Sequence, residues 1–387
     1  MAALARFLIV LAAAIAAAAT IGKLVPHVDR LAADLDVPLG AAGFLVSAVM
    51  LPGALAGPLL GLAVDRLGPR RVALFGFALQ ACASLAGGYA GSFAALAATR
   101  VLEGFGYGLA IVASTVLVVE VSRSHRRALA LAVWSAFAPI GFALGQLFGG
   151  GAGGANPLPS IGIAHALVLG ALALLVAVAL PESARQHGAR PSFLATLRSR
   201  PALGTSLAFG LATGALLGAV AVAPLVIAGQ HGLTVAAAAQ LTALAALPGI
   251  AGRFASGWLL GSARPIGIFV LASVAGSGFL AAGLVLPISL AAALACFAAF
   301  QICVGALPGV MSAMLPRVAS SPEQLGTVSG LATQMITAGN LLAPPLALSI
   351  YAWSGAAGTA AALIAAVGLS AGLVGALPVY RERVAPS

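Results

Sequence analysis

Twelve apolar stretches, each close to the roughly 20 residues that a helix needs to cross a bilayer, constrain this sequence more than any motif in it. In lipid only helices and closed barrels satisfy every backbone N–H and C=O, and these runs are far too long for barrel strands. Punctuation by Pro, Gly and charge places the helices near Leu4–Val25, Ala41–Val64, Val72–Ala90, Phe93–Val121, Ala128–Gly150, Ile161–Leu180, Pro201–Ala228, Val235–Leu260, Ile266–Leu286, Ser289–Pro316, Gly326–Ile350 and Gly358–Pro378. The expected fold is therefore an all-α integral membrane protein. Charged residues make up 7% of the chain, where a soluble domain carries about a quarter. Such a chain could not cover its own surface in water, and collagen-like, disordered and disulfide-scaffold classes are excluded with the soluble ones. Cys82, Cys296 and Cys303 each lie inside an apolar run and are expected to be buried thiols without a bridge. Arg6 ahead of Leu8–Ala19 has the look of a secretory leader, but the length of the run and the spans that follow point to an uncleaved first helix.

The net charge of +10 would suit a nucleic-acid partner if the basic residues formed a stripe interleaved with aromatics, and they do not. With twelve spans and the N-terminus inside, fifteen of the nineteen Lys and Arg residues fall on the inner side of the membrane. Lys23 and Arg30 fall outside, and Arg100 and Arg253 lie within helices. This positive-inside bias puts both termini in the cytoplasm and marks the charge as a topology signal. The expected location is the cytoplasmic membrane, with the lipid bilayer as partner, no nucleic acid, and a monomer sufficient to enclose a site.

The sequence repeats at about half its length. Leu51-Pro52-Gly53, Gly61 and Pro69 recur as Leu247-Pro248-Gly249, Gly257 and Pro265 at an offset of 196, and Arg100, Gly104 and Gly108 correspond to Gln301, Gly305 and Gly309 at 201. Between the copies lies a polar connector. The expected organisation is a six-helix bundle over residues 1–180, a cytoplasmic linker over 181–200 and a second six-helix bundle over 201–387, with a central cavity between them. Glycines at every fourth position (Gly53, Gly57, Gly61; Gly141, Gly145, Gly149; Gly210, Gly214, Gly218) predict close helix contacts.

The loop after the second span reads Gly61-Leu62-Ala63-Val64-Asp65-Arg66-Leu67-Gly68-Pro69-Arg70-Arg71. It resembles the signature loop of the major facilitator superfamily, G-x-x-x-D-R-x-G-R-R/K, with Pro69 inserted in the tail, and the six-plus-six layout extends the resemblance over the whole chain. The twelve-span drug/proton antiporter-like members are the nearest pattern. The resemblance implies a secondary transporter working by alternating access, not an enzyme. It further implies that Gly61, Asp65, Arg66, Gly68, Arg70 and Arg71 form a cytoplasmic gate with Glu120 as the acid opposite the basic loop. The second-half counterpart, Gly257 to Pro265, has lost the acid, and Arg253 is the candidate charge for that half.

An ionisable residue at bilayer depth is costly and stands as a functional hypothesis. Arg100, Glu103 and Tyr107 share one face of the fourth helix. Arg100 with Gly104 and Gly108 resembles the signature of the family's proton-coupled members, and Glu103 is then the candidate proton carrier with Arg100 tuning it and touching substrate. Burial favours the neutral acid and a neighbouring guanidinium favours the ion, so changing water access or pairing distance would move a proton on and off Glu103. A permanent ion pair that hides both charges is the competing reading. Gln301, Gln334 and Asn340 are candidate substrate contacts, beside Thr337 and Gln146, and each could equally bond a neighbouring helix. His165 reads as a packed or water-facing imidazole near the outer surface, or a relay. Pro139, Gly141 and Gly145 look like a degraded form of the family's exchanger signature.

No Walker loop, His/Cys ligand cluster, HExxH or strand-to-helix GxSxG occurs, so an ATP-driven pump and a hydrolase are not expected, nor is a metal or cofactor beyond a proton gradient. The resemblance and the buried pair together imply proton-coupled efflux of drug-like or metabolite molecules. The alternatives are proton-coupled uptake or exchange of a small organic anion with Arg100 as counter-ion, and a transporter-shaped receptor.

Overall fold

The protein is helical throughout a computed structural model that describes residues 2–152, 156–182, 193–233, 235–261, 267–319 and 321–381, with no strand among the described residues. Each of the twelve expected stretches is helical among the described residues, and ten helices are long and apolar enough to cross a membrane. The first is Ala2–Gly22, the third Pro69–Gly88, the fourth Phe93–Val121, the sixth Leu158–Ala179, the seventh Arg200–His231, the ninth Gly267–Val285 and the tenth Leu290–Val318. Three spans are broken. The second runs as Leu39–Ser47, a tight turn at Ala48–Met50 and Leu51–Leu67; the fifth as Arg127–Trp134 and Phe137–Gly150; the eighth as Val235–Ala246 and Gly249–Gly261. The eleventh and twelfth run together over Leu325–Ala376 and part at Gly355, whose φ of 67° and ψ of −164° no helix can contain.

Local chemistry explains these boundaries. Ser92 Oγ accepts the Ala95 amide at 3.2 Å and caps the fourth span, whose ends coincide with those predicted. The second span breaks at Ala48–Met50, just ahead of Leu51-Pro52-Gly53, and the eighth breaks at Leu247-Pro248 within the repeated Leu-Pro-Gly. A proline there withdraws an N–H from the preceding turn, so the same interruption appears in both copies. Pro69 also finds its reason: Gly68 adopts φ 90°, and Pro69 is the first residue of the third span, where its missing N–H costs nothing.

The chain forms two compact units. One comprises Met1–Arg123, Ala136–Thr196 and Ala319–Gln334; the other comprises Ser124–Ser135, Leu197–Val318 and Met335–Ser387. In the first unit the glycines of the fifth span lie on the first: a Cβ at Gly141, Gly145 or Gly149 would strike the backbone of Ile15, Ala19 or Lys23. In the second unit Gly210 of the seventh span meets Met335, and Gly339 meets Gly210. First-on-fifth and seventh-on-eleventh are the same pairing in the two copies of the repeat. Gly104 against Val49 and Pro52, and Gly305 against Gly249, continue it.

Two expectations are corrected here. Cys82 is exposed, and Cys296 and Cys303 are half-buried, so the three unbridged thiols are not a buried set. An apolar run says only that a residue avoids water, and lipid serves as well as protein. The other concerns Lys23. It lies on the outer surface by charge counting but is 3% exposed in the structure, inside the apolar segment Ala3–His27. Arg185, Arg190, Arg264, Pro265 and Arg383 lie outside the described residues, as does half of the central linker, 183–192.

Candidate functional site

The fourth span carries Arg100 and Glu103 one turn apart, and both side chains are 1% exposed. They form an ion pair through Arg100 Nη1 and Glu103 Oε2. The other carboxylate oxygen, Oε1, pairs with Lys23 Nζ from the first span. Thr20, one turn before Lys23, donates its hydroxyl to Glu103 Oε2 at 3.1 Å. The third span adds Ser84, whose Oγ is 2.6 Å from Lys23 Nζ, and the sixth adds His165, whose Nδ1 is 3.2 Å from the same nitrogen. Four spans thus meet in one buried cluster, the first and fourth at the Glu103 carboxylate and the third and sixth at the Lys23 ammonium.

Hydrogen-bond counting shows how complete this arrangement is. The guanidinium of Arg100 has five N–H groups. Nε reaches Leu45 O at 2.9 Å, Nη1 reaches Thr20 Oγ1 at 3.0 Å and the carboxylate, and Nη2 reaches Thr20 O at 2.8 Å and Val46 O at 3.5 Å. Every donor has an acceptor. The three N–H groups of the Lys23 ammonium likewise meet Glu103, Ser84 and His165. His165 Nε2 faces Ala16 O at 3.0 Å and must donate, so Nδ1, facing an ammonium and the Ser84 hydroxyl, accepts. The imidazole is therefore neutral, and the cluster holds two cations against one anion.

Arg100 and Glu103 are thus brought together as their spacing predicts. Tyr107 is buried on the same helix but stands outside this hydrogen-bonded set. Lys23 and Ser84 were not singled out from sequence. Lys23 lies near the end of its apolar run, a position that does not say whether its head turns outward or inward. Gln301 is 5% exposed in the second unit, and its Nε2 has no hydrogen-bond partner among the described residues. Gln334 donates to Ala54 O at 3.1 Å within the first unit, as a helix-bonding residue would, and Asn340 is half-buried in the second unit. Pro139, Gly141 and Gly145 sit in Phe137–Gly150, where the glycines serve the contact with the first span.

The loop motif is also organised. Gly61 packs on Gly326, and Asp65 accepts the amides of Gly326 at 2.8 Å and Thr327 at 2.7 Å together with the Thr327 hydroxyl. A carboxylate from the second span therefore caps the first turn of the eleventh, where unsatisfied amides and the helix dipole both favour negative charge. Arg66 is exposed. The acid beside Arg70 and Arg71 is Glu182, at 3.6 and 3.4 Å, and Arg70 also donates to Ala177 O. Glu120 is exposed one residue before the end of the fourth span. In the second unit Arg253 donates to Ser135 O at 3.0 Å.

Residues 2–344 match the sequence family described as Major Facilitator Superfamily. The chain belongs to that superfamily. The family match and the long apolar helices make it a multi-pass membrane protein. Over 118 residues, 30% of this chain and 20% of the relative, it is 30% identical to the MFS-type transporter Rv1250 of Mycobacterium tuberculosis. Over 130 residues, 34% of each chain, it is 29% identical to the quinolone resistance protein NorA of Staphylococcus aureus. The matches thus span about a fifth and a third of those relatives. Among solved structures, the proton:xylose symporter XylE superposes over 100% of this chain and 97% of its own with a TM-score of 0.80 at 14% identity. Human MFSD10, an organic anion transporter, covers 95% and 98% with 0.76 at 20%. At those identities the likeness is one of fold.

Proposed function

We propose that the protein is a proton-coupled secondary transporter of the cytoplasmic membrane that exports drug-like or metabolite molecules by alternating access. The observation that carries this reading is the Lys23–Glu103–Arg100–His165 cluster, a set of ionisable groups buried at membrane depth in a superfamily of transporters. Such groups are expensive to hold in lipid and are kept where protons or ions are moved. The similarity to NorA supports a drug-like cargo. The clasp of Asp65 on Gly326 and Thr327 gives the family's loop motif an ordered contact, in keeping with membership of that superfamily.

The excess of positive charge in the cluster favours a second reading, uptake or exchange of a small organic anion. An anion would have to displace an acceptor already held by Arg100. Inverted vesicles separate the two. With an inward-acid gradient established, addition of a fluorescent quinolone should drain the gradient as the drug is taken up, and an organic acid should not. An organic acid loaded inside the vesicles that drains the gradient as it leaves, where quinolone does not, assigns uptake. A quinolone that leaves the gradient intact and does not accumulate overturns the export reading.

A further inference from the structure

Of the nineteen Lys and Arg residues in the chain, Lys23 is the one lysine. It is also the basic residue whose ammonium sits wholly inside the buried cluster, at 4% side-chain exposure. The distinction matters chemically: arginine keeps its proton in proteins, whereas a lysine can exist as a neutral amine. A chain that uses arginine at every other basic position has kept its only exchangeable one here.

Charge balance indicates which group in the cluster moves a proton. With His165 neutral, Lys23 and Arg100 face Glu103 alone. Adding a proton to Glu103 would leave two buried cations and no anion. Removing one from Lys23 leaves the neutral Arg100–Glu103 pair. Leaving buried charge unbalanced is the costly state, so the second change is the one this site accommodates. The groups around Nζ come from each packed span: Thr20 from the first, Ser84 from the third, Arg100 and Glu103 from the fourth and His165 from the sixth. The second span contributes only carbonyls to Arg100, and the fifth only the backbone at Gly149.

Hydrogen-bond geometry agrees. As an ammonium, Nζ donates to Glu103, Ser84 and His165; as an amine it has two donors and one lone pair. A carboxylate and the His165 Nδ1 can only accept, but a serine hydroxyl accepts or donates. Ser84 Oγ lies 2.6 Å from Nζ and 3.1 Å from His165 Nδ1, so turning its O–H from the imidazole to the amine keeps all three contacts of Lys23 satisfied after the proton has gone. A void of about 10 Å³, the size of one water, is lined by Lys23, Ser84, Thr99, Arg100 and Glu103 together with leucines, Ile161 and neighbouring glycines.

We infer that Lys23, and not Glu103, carries the coupled proton. One Nζ–H bond breaks, the proton passes to water, and the electron pair stays on Nζ to accept the Ser84 O–H; Arg100 and Glu103 keep their protonation throughout, and the cluster goes from one net positive charge to none. This rests on the proton-coupled reading above, and the test distinguishes failure of either.

Because the chain holds one lysine, full-length protein labelled with [ζ-15N]lysine in nanodiscs gives one side-chain resonance with no mutation. Both ammonium and amine forms are expected as the pH is moved through the range in which vesicles take up quinolone at the expense of the gradient. Lys23→Arg, which keeps the charge and fixes the proton, is expected to lower gradient-driven accumulation at least tenfold. Flux in the unsubstituted protein with a resonance that stays ammonium throughout overturns the assignment to Lys23 alone, as does full gradient-driven accumulation by Lys23→Arg. Absence of gradient-driven flux in the unsubstituted protein overturns the transport reading first, and the assignment with it.

Discussion

At the scale of single residues, Glu103 is the hinge of the electrostatics because it is the one anion that two buried cations share. Glu103→Gln strips that anion and leaves Lys23 and Arg100 facing each other, a loss for which removal of a buried partner costs about 3–5 kcal/mol. Lys23→Met removes one cation with a side chain of similar length and leaves Arg100 and Glu103 balanced. The thermal unfolding midpoint in one detergent should therefore fall further for Glu103→Gln than for Lys23→Met; the reverse order would show the charge count to be wrong. Arg100 and Glu103 were legible in the sequence because helical spacing alone places them together. Lys23 was not, for a physical reason. A lysine near the end of an apolar run ordinarily extends its head to the interface, and nothing local distinguishes that from one turned inward to a carboxylate 80 positions away. Ser84 and His165 join the set through packing of the third and sixth spans, which no spacing rule reaches.

At the scale of helices, the close pairings depend on glycine, and one position tests this directly. A Cβ at Gly145 would fall on the Ala19 carbonyl, backbone that cannot swing aside, whereas a Cβ at Gly170 meets open space. Gly145→Ala is expected to destabilise by about 1–3 kcal/mol as an overpacked contact. Gly170→Ala should change stability by less than about 1 kcal/mol, in the stabilising direction. Equal unfolding midpoints for the two variants would contradict the first-on-fifth approach. The spans themselves were legible because bilayer thickness sets a minimum apolar length. Their internal breaks were less so. Pro58, Pro224 and Pro308 lie inside unbroken helix, yet the helix breaks at Pro248. In lipid a proline is tolerated when neighbouring groups take up the freed carbonyl, and that depends on partners the sequence does not show.

At the scale of the whole molecule, moving Lys23 from the outer surface into the cluster sharpens the charge asymmetry. Arg30 then remains the one basic residue assigned to the outer side, and its Nε is already paired with Asp34 Oδ2 at 3.2 Å. Juxtamembrane basic residues are worth about 1 kcal/mol each at an anionic cytoplasmic leaflet, so fifteen on one side against one neutralised on the other is a strong bias. An even number of spans returns the chain to the side from which it started. Green fluorescent protein fused after the last residue is therefore expected to fluoresce, and alkaline phosphatase fused there to be inactive. Phosphatase fused at Gly91, after three spans, should be active. Activity at the C-terminus with none at Gly91 would mean the reverse orientation and overturn the placement of the fifteen basic residues on the inner side.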